Sequence, residues 1–274
     1  MKPGISNMRK LVIAVSMILA AQTVSAGKPR VLLPLYIAHQ TPGAFGSLWV
    51  SQFTVHNGSA TGSYIIDWCV ALGPNEGCAA NLNSDEELVP GETETVLPAR
   101  YPVPQVPVAG AILLISTEAD SVNDLLANNL AFNLRVVDMS RTATAAGTEM
   151  PVVRESQFRT STINLLNIPV DSRFRLALRM FEMNLSLAKF NVRIFDQATN
   201  ALLSERSVTT TTGGVPPHGF TPAFAELDDI ATGSAAQTTQ LRIEIEPLES
   251  GSASWAYVSI TNNDSQQITL VTPQ

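Results

Sequence analysis

The feature that most constrains the fold is a period of two in hydrophobicity, which recurs in several short segments of this chain. Residues 172–182 (SRFRLALRMFE) place large apolar side chains at every second position, mostly with arginines between them. Residues 188–196 (AKFNVRIFD) and 241–248 (LRIEIEPL) repeat the pattern. Strict alternation of this kind is typical of half-buried strands in antiparallel sheets. The predicted inward sets are Phe174, Leu176, Leu178 and Met180, then Phe190, Val192 and Ile194, then Leu241, Ile243 and Ile245.

Turn-forming residues interrupt these segments at short intervals, as in β-sandwich proteins. The first half closes with AILLIST, LAFNLRVVDMSR and TEMPVV, and the second half closes with LRIEIEP, WAYVSITNNDSQ and ITLVTP in the same order. Self-similarity of this kind is the sequence signature of a duplicated structural unit. We therefore predict an all-β protein with two tandem antiparallel β-sandwich domains, at residues 27–150 and 151–274.

The N-terminus has the three parts of a secretory signal peptide. A basic segment precedes an apolar run from Leu11 to Ala21, and small residues follow from Val24 to Ala26. The apolar run is about half the roughly 20 residues that a membrane-spanning helix needs. We predict a signal peptide at residues 1–26, cleaved between Ala26 and Gly27. The mature protein is then exported to the periplasm, the cell surface or the medium.

Both cysteines lie in the segment DWCVALGPNEGC, where eight residues separate Cys69 from Cys78. Exported proteins meet oxidising conditions, in which disulfides persist. The intervening GPNEG is rich in turn formers, and a thioredoxin-like redox motif has only two intervening residues. No second Cys/His pair has zinc-finger spacing. We predict a structural disulfide between Cys69 and Cys78 across a hairpin or local loop.

The charge balance restricts the partners. The chain carries 17 basic and 24 acidic residues, and loss of the signal peptide removes three basic residues and no acidic one, which leaves a net charge of −10. Nucleic acids and anionic lipid surfaces both select basic proteins. We predict no nucleic-acid partner, no membrane span in the mature chain and no cofactor. The candidate partners are a protein or a polysaccharide at the cell envelope.

Patterns for catalysis and metal binding are sparse. The three histidines, His39, His56 and His218, share no strand face, and neither an HExxH nor a GxSxG motif occurs. Acidic residues cluster at 85–87 and 228–229, but their spacing fits no EF-hand calcium loop. We predict no catalytic residue, no metal site and no enzymatic activity. A Ser–His–Asp site, a carboxylate pair or a calcium site assembled from distant residues stays open at this point.

Four aromatic residues are candidates for a sugar-binding platform: Trp49, Trp68, Trp255 and Tyr257. Trp68 is adjacent to Cys69 on an apolar strand, so we expect it to pack near the disulfide. Trp255 and Tyr257 share one face of a predicted strand, and that face is equally consistent with a binding surface and with the core. They are the ligand-binding candidates that the sequence offers.

Several segments resemble a set of uncharacterised secreted bacterial proteins with tandem immunoglobulin-like β-sandwiches. They are GTEMPVVRESQF, FRLALRMFE, NVRIFD, the corner Leu227-Asp228-Asp229 and the closing WAYVSITNNDSQQITLVTPQ. The resemblance covers most of residues 30–274, and it implies fold and export but no activity. Periplasmic pilus chaperones also pair two such sandwiches. Their basic cleft residues have no clear counterpart here, and the acidic charge fits that family poorly.

These observations favour an exported, non-enzymatic protein with a structural or interaction role at the periplasm or cell surface. One alternative is a carbohydrate- or calcium-binding module, which an exposed face with Trp255 and Tyr257 would favour. The other is a secreted hydrolase with a site between the two domains. That alternative requires a deep cleft with a histidine beside a carboxylate.

Overall fold

A computed structural model describes residues 30–37, 40–73, 76–78, 86–96, 111–116, 129–141, 147–182, 187–211 and 223–274. Of these, residues 30, 65–73, 76–78, 86, 96, 111–116 and 234 are described by their backbone only. The described part is all-β, with every strand pairing antiparallel. Its helices are short 3₁₀ turns at Ala44–Gly46, Met139–Arg141, Glu155–Gln157 and Gly233–Gln237. Among the described residues, no helix has the length and apolar character to cross a membrane.

The first half of the molecule, residues 30–154, contains strands β1 to β11 in two sheets. Their bounds are Arg30–Leu33, Thr41–Pro42, Leu48–Asn57, Tyr64–Gly73, Glu76–Cys78, Glu86–Leu88, Thr93–Val96, Ala111–Ser116, Leu130–Asp138, Thr148–Met150 and Val153–Arg154. One sheet has the order β11-β1-β8-β4-β5, and β6 also pairs with β4. The other has the order β10-β9-β3-β2, and β7 also pairs with β3.

The second half, residues 155–274, contains strands β12 to β19 in two further sheets. Their bounds are Ile163–Pro169, Phe174–Glu182, Lys189–Asp196, Leu202–Thr209, Ala223–Leu227, Gln240–Pro247, Ser254–Asn262 and Ile268–Val271. The sheets have the orders β12-β17-β14-β15 and β16-β13-β18-β19. Leu176, Leu178 and Met180 of β13 are buried, and so are the predicted inward residues of β14 and β17. The alternation therefore identifies the inner faces correctly.

The two halves share one strand order. In the first half, β1-β8-β4-β6 form one sheet and β7-β3-β9-β10 the other. Replacing these strands in chain order by β12 to β19 gives the two sheets of the second half without exception. The predicted internal repeat is therefore present in the topology, and β2, β5 and β11 are additions to the first half.

Each half packs its two sheets around an apolar core, and the first core extends into the second half. The core between β12-β17-β14-β15 and β16-β13-β18-β19 contains only residues of the second half. The other core combines residues from both sheets of the first half with Phe181, Trp255 and Tyr257. These three side chains come from β13 and β18, so the junction between the halves is a continuous apolar contact.

The strand pairing also bears on the predicted boundary, disulfide and signal peptide. Strand β11 follows residue 150 but pairs with β1, so residues 153–154 lie in a sheet of the first half. The hairpin β4–β5 places Cys78 opposite Ala71 rather than Cys69. The cysteine side chains lie outside the described set, and the disulfide stays a prediction. Residues 1–26 and the cleavage point Ala26–Gly27 also lie outside the described residues.

Candidate functional site

The outer face of sheet β16-β13-β18-β19 carries an aromatic cluster at the junction of the halves. The ring of Phe181 stacks on Tyr257 with centroids 6.3 Å apart, and on Phe224 at 6.4 Å. Trp255 contacts both Phe181 and Tyr257. Trp255 is 5% exposed and Tyr257 is fully buried. Tyr257 therefore presents no ring face to a sugar, and Trp255 exposes only a small part of its ring.

A charged network borders the aromatic cluster on the same face. Arg179 donates from Nη1 to the Tyr257 hydroxyl (3.0 Å), and from Nε and Nη2 to Glu226 Oε1 (3.0 and 2.8 Å). Burial lowers the pKa of the Arg179 guanidinium, but its interactions with Tyr257 and Glu226 outweigh burial and raise it. Burial raises the pKa of the Tyr257 phenol against the opposing effect of Arg179. Arg179 is therefore a fixed cation and Tyr257 a neutral partner at neutral pH.

Beyond this network the outer face opens into a groove of about 540 Å³. Its floor is formed by Ala177 of β13 and Ser259 of β18, which lie directly opposite each other. Arg175 and Arg179 flank the floor, and Asp228 follows the end of β16. The volume lies within the usual range of roughly 300–1,000 Å³ for small-molecule sites. This groove is one candidate site.

The edge strands of the sheets provide a second candidate. Edges in the first half are two to four residues long, and β16 and β19 have five and four residues. Strand β12 is interrupted by a bulge between Leu165 and Ile168 and ends in Pro169. Such features protect sheet edges from pairing with other chains. Strand β15 has eight residues and no proline. Its pairing with β14 is irregular between Leu202 and Ser204 but regular over the six residues from Ser204 to Thr209.

The backbone of β15 presents hydrogen-bonding groups at this edge. The amide of Thr210 donates to the carbonyl of Ala188 (2.9 Å), which marks that pair as hydrogen-bonded. Hydrogen-bonded and non-hydrogen-bonded pairs alternate along an antiparallel ladder. Glu205, Ser207 and Thr209 therefore direct their N–H and C=O groups away from β14. In the described part of the chain, no strand lies on that side of β15.

The remaining predicted chemistry is dispersed. His56 lies on β3, where Nδ1 forms a hydrogen bond with Thr93 Oγ1 at 2.8 Å. Asp229 forms an ion pair with Arg206 at 2.7 Å, and Glu87 is exposed on β6. His39, His218 and Asp85 lie outside the described residues, as do the side chains of Trp68 and Glu86. Trp49 packs against the first core. Among described residues, no cluster of three or more potential ligands is arranged to hold a metal ion.

A cleft of about 280 Å³ also lies at the junction of the halves. Its described lining includes Ser156, Gln157, Arg159 and Trp255 but neither a histidine nor a carboxylate. The predicted hydrolase site requires both groups in one cleft. The described geometry therefore gives that alternative no support.

From the sequence alone, Arg175 and Arg179 indicate only the polar face of a strand. Two features of the sequence indicate that part of this outer face is buried. Residues 255–258 (WAYV) are apolar at consecutive positions, a pattern that indicates burial on both faces of a strand. Alternation on β13 likewise ends in the apolar pair Met180–Phe181.

Comparison of the chain with protein-family models, curated proteins and solved structures finds no match.

Proposed function

We propose that this chain is an exported, non-enzymatic protein with a structural or interaction role at the periplasm or cell surface. We further propose that two copies associate by pairing their β15 strands. The observation that carries this proposal is the edge of β15, which is regular from Ser204 to Thr209 and has no partner on that side among the described strands. Export is supported by the leader-like segment 1–26. The protein purified from a bacterial host should have the intact mass of a chain that begins at Gly27.

The sequence of β15 is compatible with pairing to itself. An antiparallel two-fold pairing centred on Ser207 places Glu205 opposite Thr209 and Arg206 opposite Val208 of the second copy. No like charges then lie directly opposite each other, a contact that would be destabilising. Glu205 already accepts a hydrogen bond from Asn191 (2.7 Å), and Arg206 already pairs with Asp229. Edge-to-edge pairing of this kind is a recurrent mode of recognition.

The immunoglobulin-like description is part of the proposal. In each half the second strand of the shared set pairs with the fifth, and the third with the sixth, as in constant-type immunoglobulin domains. The first strand pairs with the sixth here instead of the second, and the seventh pairs with the second instead of the sixth. The fourth strand pairs with the third instead of the fifth, and an eighth strand pairs with the seventh. We propose an immunoglobulin-like arrangement in which the first, fourth and seventh strands have exchanged sheets.

Sedimentation velocity over a range of protein concentrations tests the self-pairing. The wild-type protein should shift from monomer to dimer as its concentration rises. Ser207→Pro removes an outward N–H that β14 does not use, so the variant should remain folded and monomeric. Ser207→Ala changes the side chain but keeps the N–H, and it should dimerise like the wild type. A wild-type protein that is monomeric throughout, or equal dimerisation of Ser207→Pro, would refute pairing through β15.

A further inference from the structure

Arg175 in the groove is a cation without an ion pair. Its Nη1 donates to Asn263 Oδ1 (2.7 Å) and its Nη2 to Gln266 Oε1 (3.0 Å), and both acceptors are neutral amides. Within the described residues it forms no ion pair with a carboxylate. Five other arginines of this half do, namely Arg173, Arg179, Arg193, Arg206 and Arg242. An arginine fixed by neutral partners is preorganised to bind an anion.

An aromatic side chain of the first half lies against the same guanidinium. The Arg175 Cζ atom is 5.3 Å from the centroid of the Phe45 ring. Phe45 has φ +56° and is 67% exposed. A bulky residue in the left-handed region is strained, and such strain concentrates at functional sites. Phe45 therefore offers an open aromatic surface beside the unpaired cation.

The groove itself is lined by small and hydroxylated residues. Ala177 leaves the floor open, and the hydroxyl of Ser259 donates to the Ala177 carbonyl (3.4 Å). Thr261 lies opposite Arg175 on the neighbouring strand, and Thr232 lines the wall beside Asp228. The hydroxyls of Ser259 and Thr232 donate to backbone carbonyls and can still accept hydrogen bonds, whereas the hydroxyl of Thr261 can do both. A ligand with several hydroxyl groups matches this lining better than an apolar one.

The charges of the groove favour a singly charged ligand. Glu226 neutralises Arg179. Among the described residues that line the groove, the charges without an ion pair are then the guanidinium of Arg175 and the carboxylate of Asp228. Asp228 repels a phosphate dianion but accepts hydrogen bonds from hydroxyl groups. A carboxylate matches the planar fork of an arginine in two parallel hydrogen bonds.

We propose that this groove binds the carboxylate of a small hydroxylated ligand, a sugar acid. In this arrangement Arg175, with Phe45 against its guanidinium, holds the carboxylate. Asp228 and the threonine and serine hydroxyls bind the ligand hydroxyls. The floor of the groove lies on β13 and β18, whereas β15 belongs to the other sheet of this half.

Isothermal titration of the purified protein with glucuronate tests the proposal. Glucuronate should bind, glucose should bind at least about tenfold more weakly, and Arg175→Gln should weaken glucuronate by about tenfold or more, the size of one lost charge-assisted interaction. The matched control is Arg173→Gln, which removes the same charge two residues earlier in the chain. The side chain of Arg173 is 65% exposed and is paired with Asp171. This control should bind glucuronate like the wild type.

A second variant tests whether the shape of the groove is needed for binding when the charge of Arg175 and the fold are both kept. Ala177→Leu fills the floor and keeps Arg175, and it should also abolish glucuronate binding while thermal unfolding remains cooperative. Several results would overturn the proposal: no heat with millimolar glucuronate, equal binding of glucose, or equal loss in Arg173→Gln. A short peptide with a free C-terminus, or inorganic phosphate, that binds more tightly than glucuronate would overturn the assignment to a sugar acid.

Discussion

The two halves have the same strand order, but they use the same sheet face in different ways. On the outer face of β3 in the first half, the successive residues Gln52, Thr54 and His56 are polar and not buried. On the corresponding strand of the second half, β13, the outer face ends in Phe181, which is fully buried at the junction. The inner faces are apolar in both halves. The shared topology therefore depends on the inner faces, whereas an outer face can become an interface between repeats.

The hairpins that lead into β10 and β19, the last strands of the shared set, show the same divergence. Strand β9 ends at Asp138, whose Oδ1 accepts hydrogen bonds from the amide of Ser140 (3.0 Å) and from its hydroxyl. Strand β18 ends at Asn262, whose Oδ1 accepts from the amide of Asp264 (2.9 Å). One turn is therefore organised by a charged carboxylate and the other by a neutral amide in the same place.

The largest expected effect comes from truncating the buried outer face. Phe181→Ala removes a ring that contacts three other aromatic side chains, and it should lower the free energy of unfolding by about 3–5 kcal/mol. His56→Ala, on the corresponding strand of the first half, should change it by less than about 0.5 kcal/mol. Chemical denaturation followed by tryptophan fluorescence measures both. Equal effects would mean that the two outer faces do not differ in energetic importance.

A smaller effect is expected at the backbone of the hairpin before β10. Gly147 has φ +82°, and a Cβ there would lie 2.8 Å from the Val136 carbonyl oxygen and 2.7 Å from Val137 Cγ2. The second half places Gln266 at φ +57° in the equivalent hairpin. Gly147→Ala should therefore cost about 2–4 kcal/mol, since backbone strain and steric overlap add.

Gly91 provides the matched control for this substitution. It also has a positive φ, +78°, but a Cβ there meets nothing within 4 Å. Gly91→Ala should cost only about 1–2 kcal/mol, the strain of the left-handed conformation alone. Thermal unfolding of the two variants compares them directly. A Gly91→Ala variant as unstable as Gly147→Ala would show that crowding at Val136 contributes nothing.

Features that depend on the local sequence pattern, such as the inner face of a strand, were predicted from the sequence. Features that depend on which strands pair with each other were not. Alternation identified the inner residues of β13, β14 and β17, because inward and outward positions follow from the chain alone. It did not identify the role of Arg179, whose partner Glu226 lies directly opposite on β16 only in the folded register. It also did not distinguish β15 as an edge, because strand order within a sheet is a property of the whole fold.

The burial of Trp255 and Tyr257 illustrates the same limit. A strand with one apolar face packs on a single layer, whereas β18 has large or apolar residues on both faces from Trp255 to Val258. This pattern indicates two-sided burial, but it does not reveal that the second layer is the neighbouring repeat. Contact between repeats becomes visible only when both halves are placed together.

The smallest effect is expected from a substitution that replaces the carboxylate of the first hairpin with the amide found in the second. Burial alone would raise the pKa of Asp138, but its hydrogen bonds from Leu48 and Ser140 and the nearby Arg141 outweigh burial and hold the pKa below 3.8. A carboxyl group whose pKa is lower in the folded state stabilises the protein above its unfolded pKa. That contribution disappears as the pH falls through the folded pKa. Asp138→Asn should therefore lower the free energy of unfolding by about 1 kcal/mol at pH 7, the difference between charged and neutral acceptors.

The same difference should shrink as the pH falls below 4, because the wild-type carboxyl then loses its charge as well. Chemical denaturation of the two proteins from pH 7 to pH 3 measures this convergence. Glu149→Gln, which removes the charge of an exposed carboxyl in the same half, is the matched control. A constant difference between Asp138→Asn and the wild type across this range would mean that shape and not charge organises the turn. The two hairpins would then be equivalent in their energetics as well as in their position in the fold.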